Sequence, residues 1–257
     1  MLPVLATVAH NSLVHLRRNL PGQIAAAESL GTEFLVVDNA STDGSLELLA
    51  EQAELHPCLR LYELPVNRGY AAGVNEALAN APGNDVMLFN PDVSITSGRS
   101  IGVLADRLAE RPSVGVLAPA LRWEDGSRQP SARCFPSIAA MLGSVGPIGR
   151  HIPWLEDVYA SYLWPNPADR PAAVDWVIGA AMLIRRDAFD AVSGWDERYF
   201  LYMEDADFCR RVTEAGYEIQ IDPVVELEHA YSRASTTPDP NASSMTARRR
   251  HVVSLLR

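Results

Sequence analysis

Three carboxylates stand in the four-residue segment EDAD at 204–207, one residue after the aromatic run YFLY at 199–202. Acids in the first turn of a helix gain about 0.3–1 kcal/mol from the helix dipole, which accounts for one or two of them. A carboxyl beside an apolar surface can also have a raised pKa and act as a general base. We expect Arg210, one turn after Asp207, to hold that acid. This leaves Glu204 or Asp205 free for chemistry.

A second group of candidates follows the ends of four apolar segments. Its members are His10-Asn11, Asp38-Asn39, Asn67-Arg68-Gly69 and Asn90-Pro91-Asp92. Each cluster taken singly favours a turn, because Asn, Asp and Gly are common turn residues. Together they favour a ligand site, since open α/β sheets bind ligands beyond the carboxyl ends of their strands. A carboxylate at Asp92 could hold a divalent metal that bridges to a diphosphate.

Two features near the carboxyl end of the chain stay open between a structural and a functional interpretation. His229 follows a strand-like segment and precedes a stretch rich in Ser, Thr, Pro and Asn. It is either a structural histidine or a contact to a metal or phosphate. The run Arg248–Arg250 is typical of a solvated helix face, but it could also contact anionic lipid or a diphosphate.

The elements that must position these candidates alternate between strand and helix in the first 118 residues. Apolar segments that predict strands lie at 2–9, 33–37, 59–64, 85–89 and 113–118. Helical spacing of apolar residues lies between them, at 12–30, from 45 onward, at 70–79 and at 97–110. This order predicts an α/β fold with a mainly parallel, doubly wound sheet.

The rest of the chain is less regular. Residues 119–172 are rich in Pro, Gly and aromatic residues and read as an irregular insertion. The later elements that the pattern predicts are a strand-like segment at 174–184 broken at 179–181, helices at 187–192 and 204–215, strands at 217–221 and 224–227, and a final helix that carries the three arginines.

Composition excludes several classes of function. All 22 basic residues are arginine, so no mechanism that needs a lysine amine is available. The formal charge of −10 argues against a general nucleic-acid binder. Three widely separated cysteines fit reduced thiols better than a disulfide framework. No apolar run approaches the ~20 residues of a membrane span, and we see no charged leader. We therefore expect a cytoplasmic protein.

Six segments, in this order, resemble the inverting glycosyltransferases of family 2, which have the GT-A fold. They are VVDNASTDGS (36–45), NRGYAAGVN (67–75), LFNPDV (88–93), GSRQPSARCFPS (126–137), VIGAAMLIRRDAF (177–189) and GWDERYFLYMEDADFCRRVTEAGY (194–217). The fourth and fifth segments resemble the rhamnosyltransferase branch in particular. The likeness extends over nearly the whole chain, and the last segment is the most specific.

The resemblance implies a role for each matching residue. The residues implied to bind the donor nucleotide are Thr7, Asn11, Asp38, Asn67, Arg68, Gly69 and Asn90. Asp92 would hold a Mg²⁺ or Mn²⁺ ion with help from His229, and Asn90 replaces the first acid of the family's D-x-D motif. Asp205 would be the catalytic base, with Glu204 as the alternative. Trp195 and Asp196 would face the acceptor, and Asp207 and Arg210 would support the base.

The resemblance also implies a reaction and its partners. The chain would be one GT-A domain, with a nucleotide-sugar half at 1–118 and an acceptor and catalytic half at 119–257. A base would deprotonate an acceptor hydroxyl, which displaces the nucleotide diphosphate in one step. The favoured donor is dTDP-rhamnose, and the acceptor is a saccharide, a lipid-linked saccharide or a small molecule. The implied setting is bacterial cell wall or polysaccharide synthesis, with no nucleic acid bound. Peripheral contact with the inner membrane face and a homodimer stay open.

Two other functions compete with this interpretation. A sugar nucleotidyltransferase also has an α/β nucleotide fold, but it relies on a basic Gly-rich loop and lysines that this chain lacks. A non-catalytic module that binds nucleotide sugars is the other alternative. The presence of Asp92, Asp205 and Arg210 argues against it.

Overall fold

The structure is a computed structural model that describes residues 2–135 and 170–230. Its strands are β1 (Val4–Ala9), β2 (Phe34–Asp38), β3 (Leu59–Glu63), β4 (Val86–Phe89), β5 (Val93–Ser94), β6 (Val114–Arg122), β7 (Arg128–Gln129), β8 (Ala132–Arg133), β9 (Ala172–Ala173), β10 (Trp176–Val177), β11 (Ala181–Ile184) and β12 (Glu218–His229). Its helices are α1 (Leu13–Leu30), α2 (Ser45–Leu55), α3 (Tyr70–Ala79), α4 (Gly98–Ala109), α5 (Arg186–Ala191) and α6 (Glu204–Glu214).

One large sheet forms the centre of the fold, in the order β3-β2-β1-β4-β11-β6-β12-β5. The pairs β3–β2, β2–β1, β1–β4 and β6–β12 are parallel. Residues of β1, β2 and β4 are buried on both faces, as expected for strands covered by helices on each side. The predicted α/β fold with a mainly parallel sheet is confirmed.

A hydrophobic core lies on each face of the sheet, because successive strand side chains point to opposite sides. In β1, Leu5 and Ala9 face the core made with α1, α2 and α4. Ala6 and Val8 face the core made with α3, α5 and α6. The helices therefore cover both faces of the sheet. The parallel strands β1, β2 and β4, which are followed by candidate site residues, lie between these two layers of helices.

The sheet interleaves the two halves of the chain. Strand β11 lies antiparallel between β4 and β6, which both come from the first 122 residues. The two late strands predicted at 217–221 and 224–227 are one strand, β12, whose register shifts between Asp222 and Glu226. Pro223, which cannot donate to the ladder, lies within this irregular stretch. The functional division at residue 118 stays a prediction.

Some predicted features lie outside the described residues. These are most of the irregular insertion, the Ser/Thr/Pro/Asn-rich stretch and the final helix with Arg248–Arg250. Within 2–135 and 170–230, no helix is both long enough and apolar enough to cross a membrane.

Candidate functional site

Strands β1 and β2 lie side by side, with Ala9 opposite Asp38 at their carboxyl ends and Thr7 opposite Val36, two residues further into the sheet. The side chains of Thr7 and Asp38 are buried. Asp38 Oδ2 accepts a hydrogen bond from the backbone N–H of Ser41 at 2.8 Å. Asp38 Oδ1 and the Thr7 hydroxyl have no hydrogen-bond partner among the described residues. A buried acceptor without a partner is costly, so Asp38 Oδ1 is suited to accept from a ligand N–H.

Two other predicted donor-binding residues make hydrogen bonds to turns of the protein itself, Asn11 to the turn after β2 and Asn67 to its own. Asn11 has a left-handed backbone, with φ 49°, and its Oδ1 accepts from the N–H of Thr42 at 2.8 Å. Asn67 Oδ1 accepts from the N–H of Gly69 at 2.9 Å. These contacts fix the shape of the edge, and a nucleotide contact by either side chain stays a prediction.

Arg68 and Gly69 hold a loop of the protein. The guanidinium of Arg68 pairs with Glu197 at 2.7 Å. Gly69 has φ 92°, and a Cβ there would stand 2.5 Å from the carbonyl oxygen of Phe200, so this position requires glycine. The next residue, Tyr70, donates its N–H to that same oxygen at 2.9 Å. The segment 67–70 therefore fastens the loop that leads to α6, and its predicted contact with a nucleotide is untested.

Asp92 and His229 come together, although 136 residues separate them in the sequence. β5 and the end of β12 pair, with His229 opposite Val93. Asp92 Oδ1 lies 3.3 Å from His229 Nε2, and this oxygen makes no hydrogen bond to any described residue. His229 is 3% exposed, and its Nδ1 lies 2.8 Å from Gln129 Oε1. A cavity of about 700 Å³ borders His229, between α1 and the turn at 123–127.

This pair fits a divalent metal. A histidine that donates Nδ1–H to Gln129 presents the lone pair of Nε2, the usual arrangement of a metal-bound histidine. Two ligands at about 2.1 Å from an octahedral ion stand about 3.0 Å apart, close to the observed 3.3 Å. Among residues 2–135 and 170–230, no group of three or more His, Cys, Asp or Glu could hold a metal. A bound ion here would take its other ligands from substrate oxygens or water.

Glu204 and Asp205 begin α6 and occupy different environments. Glu204 is buried, and its Oε2 has no hydrogen-bond partner among the described residues. Burial, and then the neighbouring Asp205, raise the pKa of Glu204 well above its ordinary value. Asp205 Oδ2 accepts from the N–H of Gly179, and Oδ1 from the N–H of Ala206, each at 2.9 Å. Burial raises the pKa of Asp205, while these N–H groups and the charge of Arg133 act in the opposite direction.

Tyr70 and Gly179 are site residues that sequence reasoning missed. The Tyr70 hydroxyl lies 3.0 Å from Asn90 Oδ1 and 3.0 Å from the carbonyl oxygen of Gly179. Burial raises the pKa of Tyr70 well above its ordinary value, and Glu204, Asp205 and Asp92 add to the effect in that order. A tyrosine at the start of a helix reads as a core residue, so the sequence offered no signal for this position.

The predicted contact between Asp207 and Arg210 is wrong. Asp207 pairs with Arg211 at 2.8 Å, four residues along the helix, while Arg210 points to solvent and pairs with Glu214. Arg211 also donates to the carbonyl oxygens of residues 192 and 194. It therefore ties α6 to the loop that precedes it, which Arg210 cannot reach.

Trp195 and Asp196, predicted to face an acceptor, lie in the loop before α6. Trp195 is 2% exposed and stacks on Phe208 with ring centroids 5.0 Å apart. The Trp195 ring thus belongs to the core and offers one face to Phe208. Asp196 holds Arg198 at 2.5 Å. Contact with an acceptor stays a prediction for both residues.

Comparison with known proteins decides the family. The sequence model of glycosyl transferase family 2 matches residues 6–142. N-acetylglucosaminyl-diphospho-decaprenol L-rhamnosyltransferase of Mycobacterium tuberculosis is 37% identical over 264 residues, which cover 96% of this chain and 81% of that protein. The chain belongs to glycosyl transferase family 2. This glycosyltransferase is also 26% identical to rhamnosyltransferase WbbL of Escherichia coli, over 62% of this chain and 56% of that protein.

Two solved structures have the same fold as this family 2 glycosyltransferase. GalNAc-T7 with UDP, GalNAc and Mn²⁺ superposes with a TM-score of 0.66 at 14% identity, covering 99% of this chain and 48% of that one. Mannosyltransferase PcManGT from Pyrobaculum calidifontis, with GDP-Man and Mn²⁺, gives 0.65 at 20% identity, covering 100% and 63%. The family 2 chain thus spans about half to two thirds of these proteins, and the predicted GT-A fold is confirmed.

Proposed function

We propose that this glycosyltransferase transfers L-rhamnose from dTDP-rhamnose to a sugar hydroxyl, with inversion at the anomeric carbon. The observation that carries the reaction type is Asp205, a carboxylate at the start of α6 held by two backbone N–H groups. Each of its oxygens keeps a lone pair, so the group can accept a proton without being released from the protein. The rhamnosyl donor is supported by the names of two relatives.

In this proposal the chain's own residues share the work. Asp205 accepts the proton of the acceptor hydroxyl as the new bond to the anomeric carbon forms. Asp38 Oδ1, buried and without a partner among the described residues, accepts from the N–H of the nucleotide base. Asn90, at the end of β4, faces the nucleotide from the same edge of the sheet. Most of the rate acceleration would come from this positioning.

The charge of the donor diphosphate needs a partner. Asp92 and His229 would hold a Mg²⁺ or Mn²⁺ ion. Because the chain has no lysine, the other groups that could neutralise or hydrogen-bond the diphosphate are arginines and backbone N–H groups. When bound, this ion would stabilise the charge that develops on the departing diphosphate. The two structural neighbours hold Mn²⁺ with a nucleotide or nucleotide sugar, which supports this assignment.

The acceptor class follows from the relative with the higher identity, whose name specifies an N-acetylglucosaminyl diphospholipid. We propose a diphospholipid-linked saccharide as the acceptor of this chain. The enzyme would then work at the cytoplasmic surface of a membrane, through peripheral contact. A homodimer stays a prediction that no observation on this chain supports.

A donor panel tests the proposal. Purified protein is incubated with dTDP-rhamnose, UDP-GlcNAc, UDP-galactose or GDP-mannose and Mn²⁺, with and without a short-chain N-acetylglucosaminyl diphospholipid. We expect release of dTDP that depends on the acceptor, and a rhamnosylated lipid with inverted configuration at the anomeric carbon. Thermal stabilisation by a nucleotide sugar without release of any nucleoside diphosphate would instead indicate a binding module. Turnover with another sugar alone would contradict the rhamnosyl assignment.

A further inference from the structure

Tyr70 touches both parts of the site, and no role follows for it from the sequence. It is the first residue of α3, and its ring lies edge-on to Trp195, with centroids 5.8 Å apart. The hydroxyl reaches Asn90 Oδ1 on one side and the Gly179 carbonyl oxygen on the other, each at 3.0 Å. Asn90 lies two residues before Asp92, and Gly179 donates its N–H to Asp205 at 2.9 Å.

Gly179 needs an anchor outside itself. A glycine has more backbone freedom than any other residue, and it has no side chain that could be packed to restrain it. Its N–H nevertheless has to stay aimed at Asp205 Oδ2. A Cβ at this position would be in ordinary contact with Tyr70, Asp205 and Trp195, at 3.5–3.6 Å, so the residue is closely surrounded. Among its described contacts, the hydrogen bond from Tyr70 holds its carbonyl oxygen.

We infer that Tyr70 is a positioning residue. Through its hydroxyl it fixes Gly179 against Asp205 and holds the Asn90–Asp92 turn in a constant position relative to Asp205. The inference rests on the proposed function for the role of Asp205. A phenol has one hydrogen, so the two oxygens share it, and a shift of either element changes the contact to the other. Tyr70 thereby links the turn that carries Asp92 to the residue that holds the base.

The test is Tyr70→Phe, which keeps the ring and its packing and removes only the hydroxyl. The control is Tyr217→Phe, which removes a hydroxyl from a half-buried tyrosine. Tyr217 directly precedes β12, at the end of that strand opposite to His229. The first measurement is a ¹³C titration of the Asp205 carboxyl without any donor, with the signal assigned by its loss in Asp205→Asn.

The expected shift has a definite sign. The Gly179 N–H favours the charged form of Asp205, so a loosened Gly179 should raise the apparent pKa of Asp205 in Tyr70→Phe. The other charged groups that act here are Arg133, which acts on Asp205, and Glu204 and Asp92, which act on Tyr70. All three are present in both variants. Tyr217→Phe should titrate as the wild type does.

The second measurement is steady-state turnover. In Tyr70→Phe we expect kcat to fall about tenfold or more while the Kd of the nucleotide with Mn²⁺ changes by less than about threefold. A residue that only supports the fold would lower Tm and leave the titration and kcat unchanged. An Asp205 titration and kcat equal to those of Tyr217→Phe would overturn the inference. If the wild type consumes no donor, the proposed function fails, and the carboxyl titration still decides the role of Tyr70.

Discussion

The two edges of the site are built in different ways. At the donor edge, formed by the turns after β1, β2 and β3, side-chain oxygens of Asn11, Asp38 and Asn67 accept from backbone N–H groups nearby, and only Asp38 Oδ1 among these three acceptors is buried without a partner among the described residues. At the catalytic edge, formed by the start of α6 and its neighbours, two carboxyl groups stand next to each other in the chain, and burial raises the pKa of both. There, Glu204 Oε2 has no partner among the described residues.

The difference shows which edge is costly to build. Turn contacts satisfy backbone groups that would otherwise need water, so the donor edge stabilises its own loops. A buried carboxyl without a full set of partners lowers the stability of the fold, and such groups concentrate where chemistry is done. We therefore expect substitutions at the catalytic edge to affect turnover most, and some of them to make the protein more stable.

The largest effect should come from Asp205→Asn. An amide cannot accept the proton of the acceptor hydroxyl, so kcat should fall about 10²–10⁴-fold. Nucleotide binding should stay near that of the wild type, because Asp205 is not at the donor edge. Steady-state kinetics and calorimetric titration with dTDP measure the two quantities. The exposed Asp187→Asn is the control, and unchanged turnover in Asp205→Asn would exclude this base.

Asp92→Asn should act on the donor instead. Replacing a carboxylate ligand should weaken metal-dependent donor binding about 10–100-fold, measured by calorimetry with Mn²⁺ and again with EDTA. The exposed Asp106→Asn should bind as the wild type does. If the wild-type protein binds the donor equally well with Mn²⁺ and with EDTA, the metal assignment at Asp92 and His229 is wrong.

Substituting two adjacent arginines distinguishes a residue that supports the catalytic edge, Arg211, from one that only carries surface charge, Arg210. Arg211→Ala removes the partner of Asp207 and two bonds to carbonyl oxygens, and should lower the free energy of unfolding by about 2–4 kcal/mol. Arg210→Ala breaks an exposed pair with Glu214 and should change the free energy of unfolding by less than about 0.5 kcal/mol. Chemical denaturation measures both free energies. Equal losses of stability would contradict the structural role of Arg211 and the surface role of Arg210.

Glu204→Gln should give the smallest effect, with a size that depends on pH. The folded protein keeps the Glu204 proton above the ordinary pKa of 4.5, where the unfolded chain has released it. Stability due to this group therefore falls as pH rises from 4.5 to the raised pKa. Glutamine imitates the protonated acid, so Tm should exceed that of the wild type at pH 8 by about 2–4 °C for each kcal/mol relieved.

The control for this last prediction is Glu214→Gln, an exposed acid on the same helix. It should leave Tm nearly unchanged at every pH. A Tm difference between Glu204→Gln and the wild type that is the same at pH 4 and pH 8 would show that folding does not raise the pKa of Glu204.

Local pattern was enough to predict most elements of the fold. The apolar segment at 33–37 is β2 (Phe34–Asp38), and the small-residue helix at 70–79 is α3. Long-range pairing was beyond local pattern. Nothing in the sequence of β11 indicates that it enters the sheet between β4 and β6, and Pro223 made one long strand read as two.

The site was predicted in part, and for different reasons at its two edges. The polar residues after each strand marked the donor edge, because parallel strands bring their carboxyl ends together. Spacing along a helix allowed both i+3 and i+4 partners for Asp207, and only the position of the preceding loop selects Arg211. Tyr70 was missed because its contacts, Asn90 and Gly179, lie 20 and 109 residues away.

The contact between Gly69 and Phe200 has a consequence for altering donor preference. The segment NRG, implied to bind the nucleotide, supports the loop that leads to α6, and a Cβ at residue 69 would collide with that loop's backbone. Libraries that vary 67–69 to accept a new nucleotide would therefore also disturb the approach to Asp205. Selection for a new donor would be more productive at Thr7 and Asp38, whose side chains are not tied to the catalytic loop by any described contact.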